Sequence, residues 1–352
     1  MNSSPSQPLR LSVLDQSPIR QGATAHQALQ ETLALAQLTD RLGYTRFWVS
    51  EHHNTGFLAG SSPEVLVAHL AGHTQRIRVG SGGVMLPHYS ALKVAENFRL
   101  LEALFPGRID LGLGRAPGTD RLTAHVLNPA NTFRDEDFAA QLMDLRAFLR
   151  DEEVPDTVHT KVKAYPQTDT TPELWLLSSS GQSGLFAAHL GMGFSFAQFI
   201  NPVGGPRMMQ LYRERFQPLD LLAAPAANVA LFVLCADTEE KARQLQTSLD
   251  LQLLRIGRAE RGGFPTYDEA RRYNYTTDEL TQLQHNRLRY VAGTPEQVRK
   301  QLEKLAASYG VDEVVATTIT ADFADRLRSF ELLAEVFALS TAGQPTASTA
   351  MA

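Results

Sequence analysis

Three features of the 352-residue sequence predict a parallel (β/α)8 barrel of the TIM type. Short apolar runs alternate with amphipathic stretches along nearly the whole chain, the pattern of strand–helix units that feed a parallel sheet. Eight such units can be counted, enough to close the sheet on itself. The length suits one large domain of this kind. We therefore expect a single barrel over residues 9–339, with an inserted region at about 252–286 before the eighth strand. Polar ends at 1–8 and 340–352 are expected to be flexible.

The units follow in order. Leu9–Leu14 is the first predicted strand, ended by the turn residues Asp15-Gln16-Ser17-Pro18. A helix is predicted over Ala25–Leu42, with Leu35, Leu38 and Leu42 on one face and Gly43 as its cap. Arg46–Ser50 is strand two and Pro63–His73 the next helix. Strand three lies within Ile77–Leu86, interrupted by Gly80, Gly82 and Gly83. Ser90–Phe105 carries the apolar stripe Val94, Phe98, Leu101 and Phe105, stopped by Pro106-Gly107. Arg108–Gly114 is strand four, and a long connection leads to a helix at Asp135–Leu149. Strands five, six and seven are read at Leu174–Leu177, Gly193–Phe199 and Asn228–Leu234, with helices between them. Gly262–His285 is polar and rich in Tyr and Arg, and reads as an inserted loop with a turn or two of helix. Thr294-Pro295-Glu296-Gln297 is a helix start: N-cap Thr, Pro at the first position, Gln at the third. Glu313–Thr318 is the eighth strand, and Phe323, Leu327, Phe330, Ala334 and Phe337 mark the last helix.

Composition narrows the function. Hydrophobic residues make up 43% and charged residues 20%, against a disordered chain. A net charge of −5 offers no basic face for nucleic acid. The single cysteine, Cys235, has no disulfide partner within the chain. Met1–Pro8 lacks the apolar core of a signal peptide, and no apolar run is long enough for a membrane span. A soluble, cytoplasmic protein is expected.

In a barrel of this type, chemistry sits at the carboxyl ends of the strands. Glu51-His52-His53 follows strand two and suits acid–base work near neutral pH, or simply buried hydrogen bonding. No metal site is expected. The first strand ends without His, and His69 and His73 lack the Glu of a His-Glu-x-x-His motif. Gly82-Gly83 marks either a barrel bulge or the close approach of a ligand to the backbone. Gly112-Leu113-Gly114-Arg115 is not a dinucleotide fingerprint, because Pro117-Gly118 then opens a loop. It leaves an arginine at the rim, suited to a phosphate or to a surface carboxylate. Ser178-Ser179-Ser180-Gly181-Gln182-Ser183 runs into a helix and fits either an anion site or plain N-capping. No Gly-x-Ser-x-Gly elbow supports a serine hydrolase. Taken together, Arg115 and the serines frame one phosphate, the glycines admit a flat ring, and Glu-His-His flanks it. That arrangement suits flavin mononucleotide (FMN).

The residues also carry a family resemblance. Phe47-Trp48-Val49-Ser50-Glu51-His52-His53, Val79-Gly80-Ser81-Gly82-Gly83-Val84-Met85-Leu86-Pro87-His88 and Pro106-Gly107-Arg108-Ile109-Asp110-Leu111-Gly112-Leu113-Gly114-Arg115 closely resemble the bacterial luciferase-like flavin monooxygenases. Leu14-Asp15-Gln16-Ser17-Pro18 looks like a bacterial branch distinct from the light-emitting luciferases. The resemblance spans Leu9 to about Gln198 and returns near Gly293-Thr294-Pro295, with Gln252–Asn286 matching least.

It implies a (β/α)8 barrel that binds reduced FMN and reacts it with O2, through a flavin C4a-hydroperoxide, to oxygenate a small organic substrate. His52 falls on the family's base or peroxide stabiliser, with Glu51 and His53 orienting it or lining the pocket. Gly82-Gly83 falls on a non-proline cis peptide beneath the ring. Arg115 falls on the phosphate arginine, and Ser179, Ser180 and Ser183 on its strand-five partners. Gly114 replaces the luciferase cysteine and Ser179 a glutamate. The resemblance further implies a separate flavin reductase and a homodimer. Two other readings stay open: a deazaflavin (F420)-dependent hydride-transfer enzyme, and a non-catalytic flavin-binding protein. Tyr267, Tyr273 and Tyr275 are candidates for a substrate lid.

Overall fold

The computed structural model describes residues 8–131, 133–219, 222–258, 260 and 262–340. The ends expected to be flexible lie almost wholly outside these residues. The strands are β1 (Arg10–Asp15), β2 (Arg46–Val49), β3 (Arg78–Met85), β4 (Ile109–Gly114), β5 (Glu173–Ser178), β6 (Gly193–Ala197), β7 (Ala227–Cys235), β8 (Tyr290–Gly293) and β9 (Glu313–Thr317). The helices are α1 (Ala25–Leu42), α2 (Pro63–Gly72), α3 (Ala91–Leu104), α4 (Arg121–Leu127), α5 (Asp135–Arg150) and α6 (Gly181–His189). They continue as α7 (Gly205–Arg215), α8 (Glu239–Gly257), α9 (Tyr267–Ala270), α10 (Thr277–Asn286), α11 (Pro295–Tyr309) and α12 (Phe323–Val336).

Eight parallel strands close the barrel in the order β1 to β7 and then β9, which pairs back onto β1. The predicted fold is therefore the observed one. The strand predicted as the eighth is the ninth in the chain, because β8 lies outside the ring. It pairs with the carboxyl half of β7, Phe232 to Cys235, while β9 pairs with Val229 to Phe232, so the two share only Phe232. Four residues with only Val291 and Ala292 between Tyr and Gly gave it no clear signature.

Helix ends are set by local chemistry. Thr24 and Gln27 form a capping box at the start of α1, and Gly43 closes it in the left-handed conformation. The face that α1 buries is Ala28, Thr32, Leu35, Ala36, Thr39 and Asp40; of the predicted stripe Leu35 is fully buried, Leu42 packs at the edge of the core and Leu38 is half-buried. Two threonines and an aspartate are tolerated there because each side chain is hydrogen-bonded, Thr32 to Ser17 and Thr39 to the carbonyls of its own helix. Asp40 accepts from the amides of Gln75, Arg76 and Ile77. Thr294 and Gln297 cap α11 as predicted.

The inserted segment holds more helix than expected. Thr266 caps α9, and Thr276 with Glu279 forms a full capping box on α10. Both helices pack on α8. Helix α4, capped by Asp120, lies within the long connection between β4 and α5.

Inward-facing residues fill the barrel in layers. The lowest layer is charged. Arg46 of β2 donates from Nε to Glu313 (2.8 Å) and from Nη1 to Asp110 (2.8 Å) and Glu173 (3.1 Å). Asp110 also accepts from Arg78 Nε (2.7 Å) and Trp48 Nε1 (2.8 Å), and Glu313 from the Ser12 hydroxyl (2.7 Å). Burial alone would raise the Asp110 carboxyl. Arg78, Arg46 and the Trp48 hydrogen bond outweigh it and hold the group below the usual carboxylate range. The layer above is apolar: Leu14, Trp48, Trp175, Ala230 and Val315. The two indoles meet edge to face with centroids 5.4 Å apart.

Removing the cation from this layer would leave Asp110 and Glu313 buried without their main partner. Arg46→Met is therefore expected to cost about 3–5 kcal/mol of stability, read as a lower urea midpoint at unchanged slope. A midpoint equal to wild type would show that the network contributes nothing net.

Candidate active site

Above the two indoles the carboxyl ends of the strands enclose a cavity of about 240 Å³. Its floor is Leu14, Trp48 and Gly82. A Cβ at Gly82 would lie 2.8 Å from Leu14 Cδ1 and 2.9 Å from Trp48 Cβ. At Gly83 it would lie 2.8 Å from the Gly112 carbonyl oxygen. Glycine is thus required at both positions by close approach, and the peptide between them is cis. The β3–β4 register also shifts here, between Ser81 and Val84. The resulting floor is flat and apolar, as a planar ring needs.

One wall is polar. Arg115 follows β4, and Ser178, Ser179, Ser180 and Ser183 line the cavity between β5 and the first turn of α6. Ser180 is the N-cap of α6 but makes no capping bond with its side chain. Its own amide donates to Ser178 Oγ (3.0 Å), and the two hydroxyls are 3.2 Å apart. Asn201 fixes this turn by donating to the Ser179 carbonyl (3.1 Å). Ser183 is buried in the first helical turn. Hydroxyls and the positive end of a helix therefore share one wall with Arg115. That donor set fits a phosphate. Arg115 also forms an ion pair with Asp135 at the start of α5.

The β2 side carries the histidines. Strand alternation points Trp48, Ser50 and His52 into the cavity. Glu51 is fully buried, and its carboxylate accepts from the Tyr89 hydroxyl (2.7 Å), His53 Nε2 (2.8 Å) and the Met85 amide (2.9 Å). Neither Glu51 nor His53 is among the lining residues. The His52 backbone is held by its amide, which donates to the Gly60 carbonyl (2.9 Å), while the His53 amide donates to Gly118 (3.2 Å). Burial depresses the His52 imidazole below its ordinary value, against smaller opposing effects from the Gly118 carbonyl and Glu51. This favours the neutral imidazole, an acceptor or donor according to tautomer.

Seven of the nine predicted site residues, His52, Gly82, Gly83, Arg115, Ser179, Ser180 and Ser183, line this one cavity. The structure adds Gln16, Met85, Phe199 and Ile200 at its mouth. Trp48 and Ser50 were legible in principle, since they share strand parity with His52. Tyr267, Tyr273 and Tyr275 do not line the cavity. Tyr273 instead donates to Glu279 (2.7 Å) and stacks edge to face on Tyr275.

The family model for luciferase-like monooxygenases matches residues 9–313. The chain is 50% identical to the uncharacterized protein YwcH of Bacillus subtilis, over 93% of this chain and 99% of that one. It is 39% identical to the N-acetyl-S-alkylcysteine monooxygenase of the same organism, over 93% and 98%. Among solved structures, apo-MsnO8 superposes with a TM-score of 0.87 at 39% identity, covering 95% of this chain and 98% of that one. The chain belongs to the luciferase-like monooxygenase family.

Proposed function

We propose that the protein is an FMN-dependent monooxygenase that oxygenates a small organic substrate. The observation that carries this reading is the single cavity with a phosphate-type donor set on one wall, a flat apolar floor and one neutral histidine facing in. Family membership and the 39% identity to a named monooxygenase support oxygenation over deazaflavin hydride transfer. Bound reduced FMN would supply the electrons that activate O2.

The chain's own residues do the rest. Arg115, Ser180, Ser183 and the first turn of α6 would hold the phosphate. Gly82-Gly83 and Trp48 would support the ring. His52 would hold or accept a proton beside the reacting edge, with Glu51 and His53 positioning it from behind. Leu177, Phe199 and Ile200 present apolar surface at the mouth, suited to an organic substrate and to excluding water. A separate reductase delivering reduced FMN and a homodimeric state belong to the same proposal. Val65 on α2 with Leu100 and Leu104 on α3 offers apolar surface for the dimer.

Three measurements test it. Mixing reduced FMN and protein with oxygenated buffer in a stopped-flow instrument should show a transient, protein-dependent absorbance distinct from oxidised FMN. Reoxidation at the rate of free flavin would remove the oxygenase reading, and titration with F420 would then test the hydride-transfer one. N-acetyl-S-alkylcysteines are the first substrates to screen.

Arg115→Ala should weaken reduced FMN by about 10- to 100-fold, the worth of a charge-assisted contact, and leave riboflavin, which lacks the phosphate, nearly unchanged. Equal loss for both flavins would place the arginine elsewhere.

The His52 imidazole is depressed in the fold relative to about 6.5 in the unfolded chain. Its contribution to stability is full above that value and falls as pH drops below it. Wild type should therefore lose more stability than His52→Gln between pH 7 and 5. Parallel losses would show that His52 titrates normally.

A further inference from the structure

We infer that Asp135 is a specificity-determining residue of the phosphate site: it competes for Arg115 and so sets how strongly the cavity selects a phosphorylated flavin. The inference rests on the FMN reading above. Arg115 stands on the wall shared by two cavities. On one side are the serines of α6. On the other is a wider vestibule lined by Asp135, Glu136, Arg121 and Arg134. In the structure the guanidinium turns to the vestibule side and pairs with Asp135. A phosphate dianion on the serine side would meet the same guanidinium.

Arg115 presents one planar fork, so a carboxylate that occupies it removes donors from the phosphate. Two anions gathered on one cation also repel each other. The exchange is gentle, because Asp135 does not become a stranded charge. It sits in the first turn of α5, where the positive helix end favours an anion, and Arg121 lines the same vestibule. Arg134 is already paired with Asp137. Both partners are about one-third exposed, 30% and 33% by side chain, so solvent screens their pairing to a modest strength. The consequence is a graded effect on affinity, and only for ligands that carry the phosphate.

The test is anaerobic equilibrium titration of the full chain with chemically reduced FMN and, separately, reduced riboflavin. Asp135→Asn keeps the size and the helix-start acceptor but removes the charge. It should tighten FMN about two- to fivefold, leave riboflavin unchanged, and leave the melting temperature close to wild type. Asp135→Glu should behave like wild type. In an Arg115→Ala background Asp135→Asn should have no effect, since the competition requires the arginine. Weaker FMN binding in Asp135→Asn would show that Asp135 aims the arginine instead, and would overturn the inference. Equal changes for both flavins would do the same. If neither flavin binds wild type or variant, the FMN reading fails and this inference fails with it.

Discussion

One buried cation organises the barrel. Arg46 stands inside the lowest layer, where a lone charge would be costly, and it draws carboxylates from β4, β5 and β9 to itself. Arg78 of β3 and Ser12 of β1 join the same network. Asn228 of β7 also donates to Glu313 (3.5 Å), so seven of the eight staves meet at one cluster, and a one-residue slip in any of them would turn its polar group out of the barrel. The cluster also fixes the floor above it. Asp110 holds the Trp48 indole by its N–H, and the Arg46 guanidinium lies 4.6 Å from the Trp175 ring centroid. The depth of the cavity follows from the height of those two rings.

The same alternation of strand residues divides labour after β2. Inward positions build the cavity and outward positions anchor it. Glu51 is the anchor: one carboxylate ties the end of β2 to the end of β3 through Met85, and to Tyr89, two residues before α3. The flanking backbone is pinned on both sides, the His52 amide by the Gly60 carbonyl and the His53 amide by the Gly118 carbonyl. Burial favours the neutral imidazole, against the smaller pull of Glu51 and Gly118.

Most of the fold was legible because its signals are local. Capping residues at Thr294 and Gly43, and turn residues after β1, act within a few positions. β8 was not legible, since four residues carry almost no periodicity. The polar α10 was missed because its stability comes from its capping box and from packing on α8. The rim residues of the site could be read because strand ends in a barrel converge, and the family pattern named the same positions. The Arg46 network could not be read. Its partners lie 64, 127 and 267 positions away, and only closure of the ring brings them together. The pairing of Arg115 with Asp135, 20 positions on, is one of the two readings the rim arginine allowed, and the sequence alone did not single out that carboxylate.

Trp48 and Trp175 are the only two tryptophans in the chain. Both lie in the layer directly below the cavity, and both are almost wholly buried. Tryptophan emission of this protein therefore arises from one place. A ring entering the cavity would quench that emission by energy transfer, and loosening of the barrel would shift it to the red. Ligand entry and loss of the core thus have separate optical signatures, and neither needs an added label.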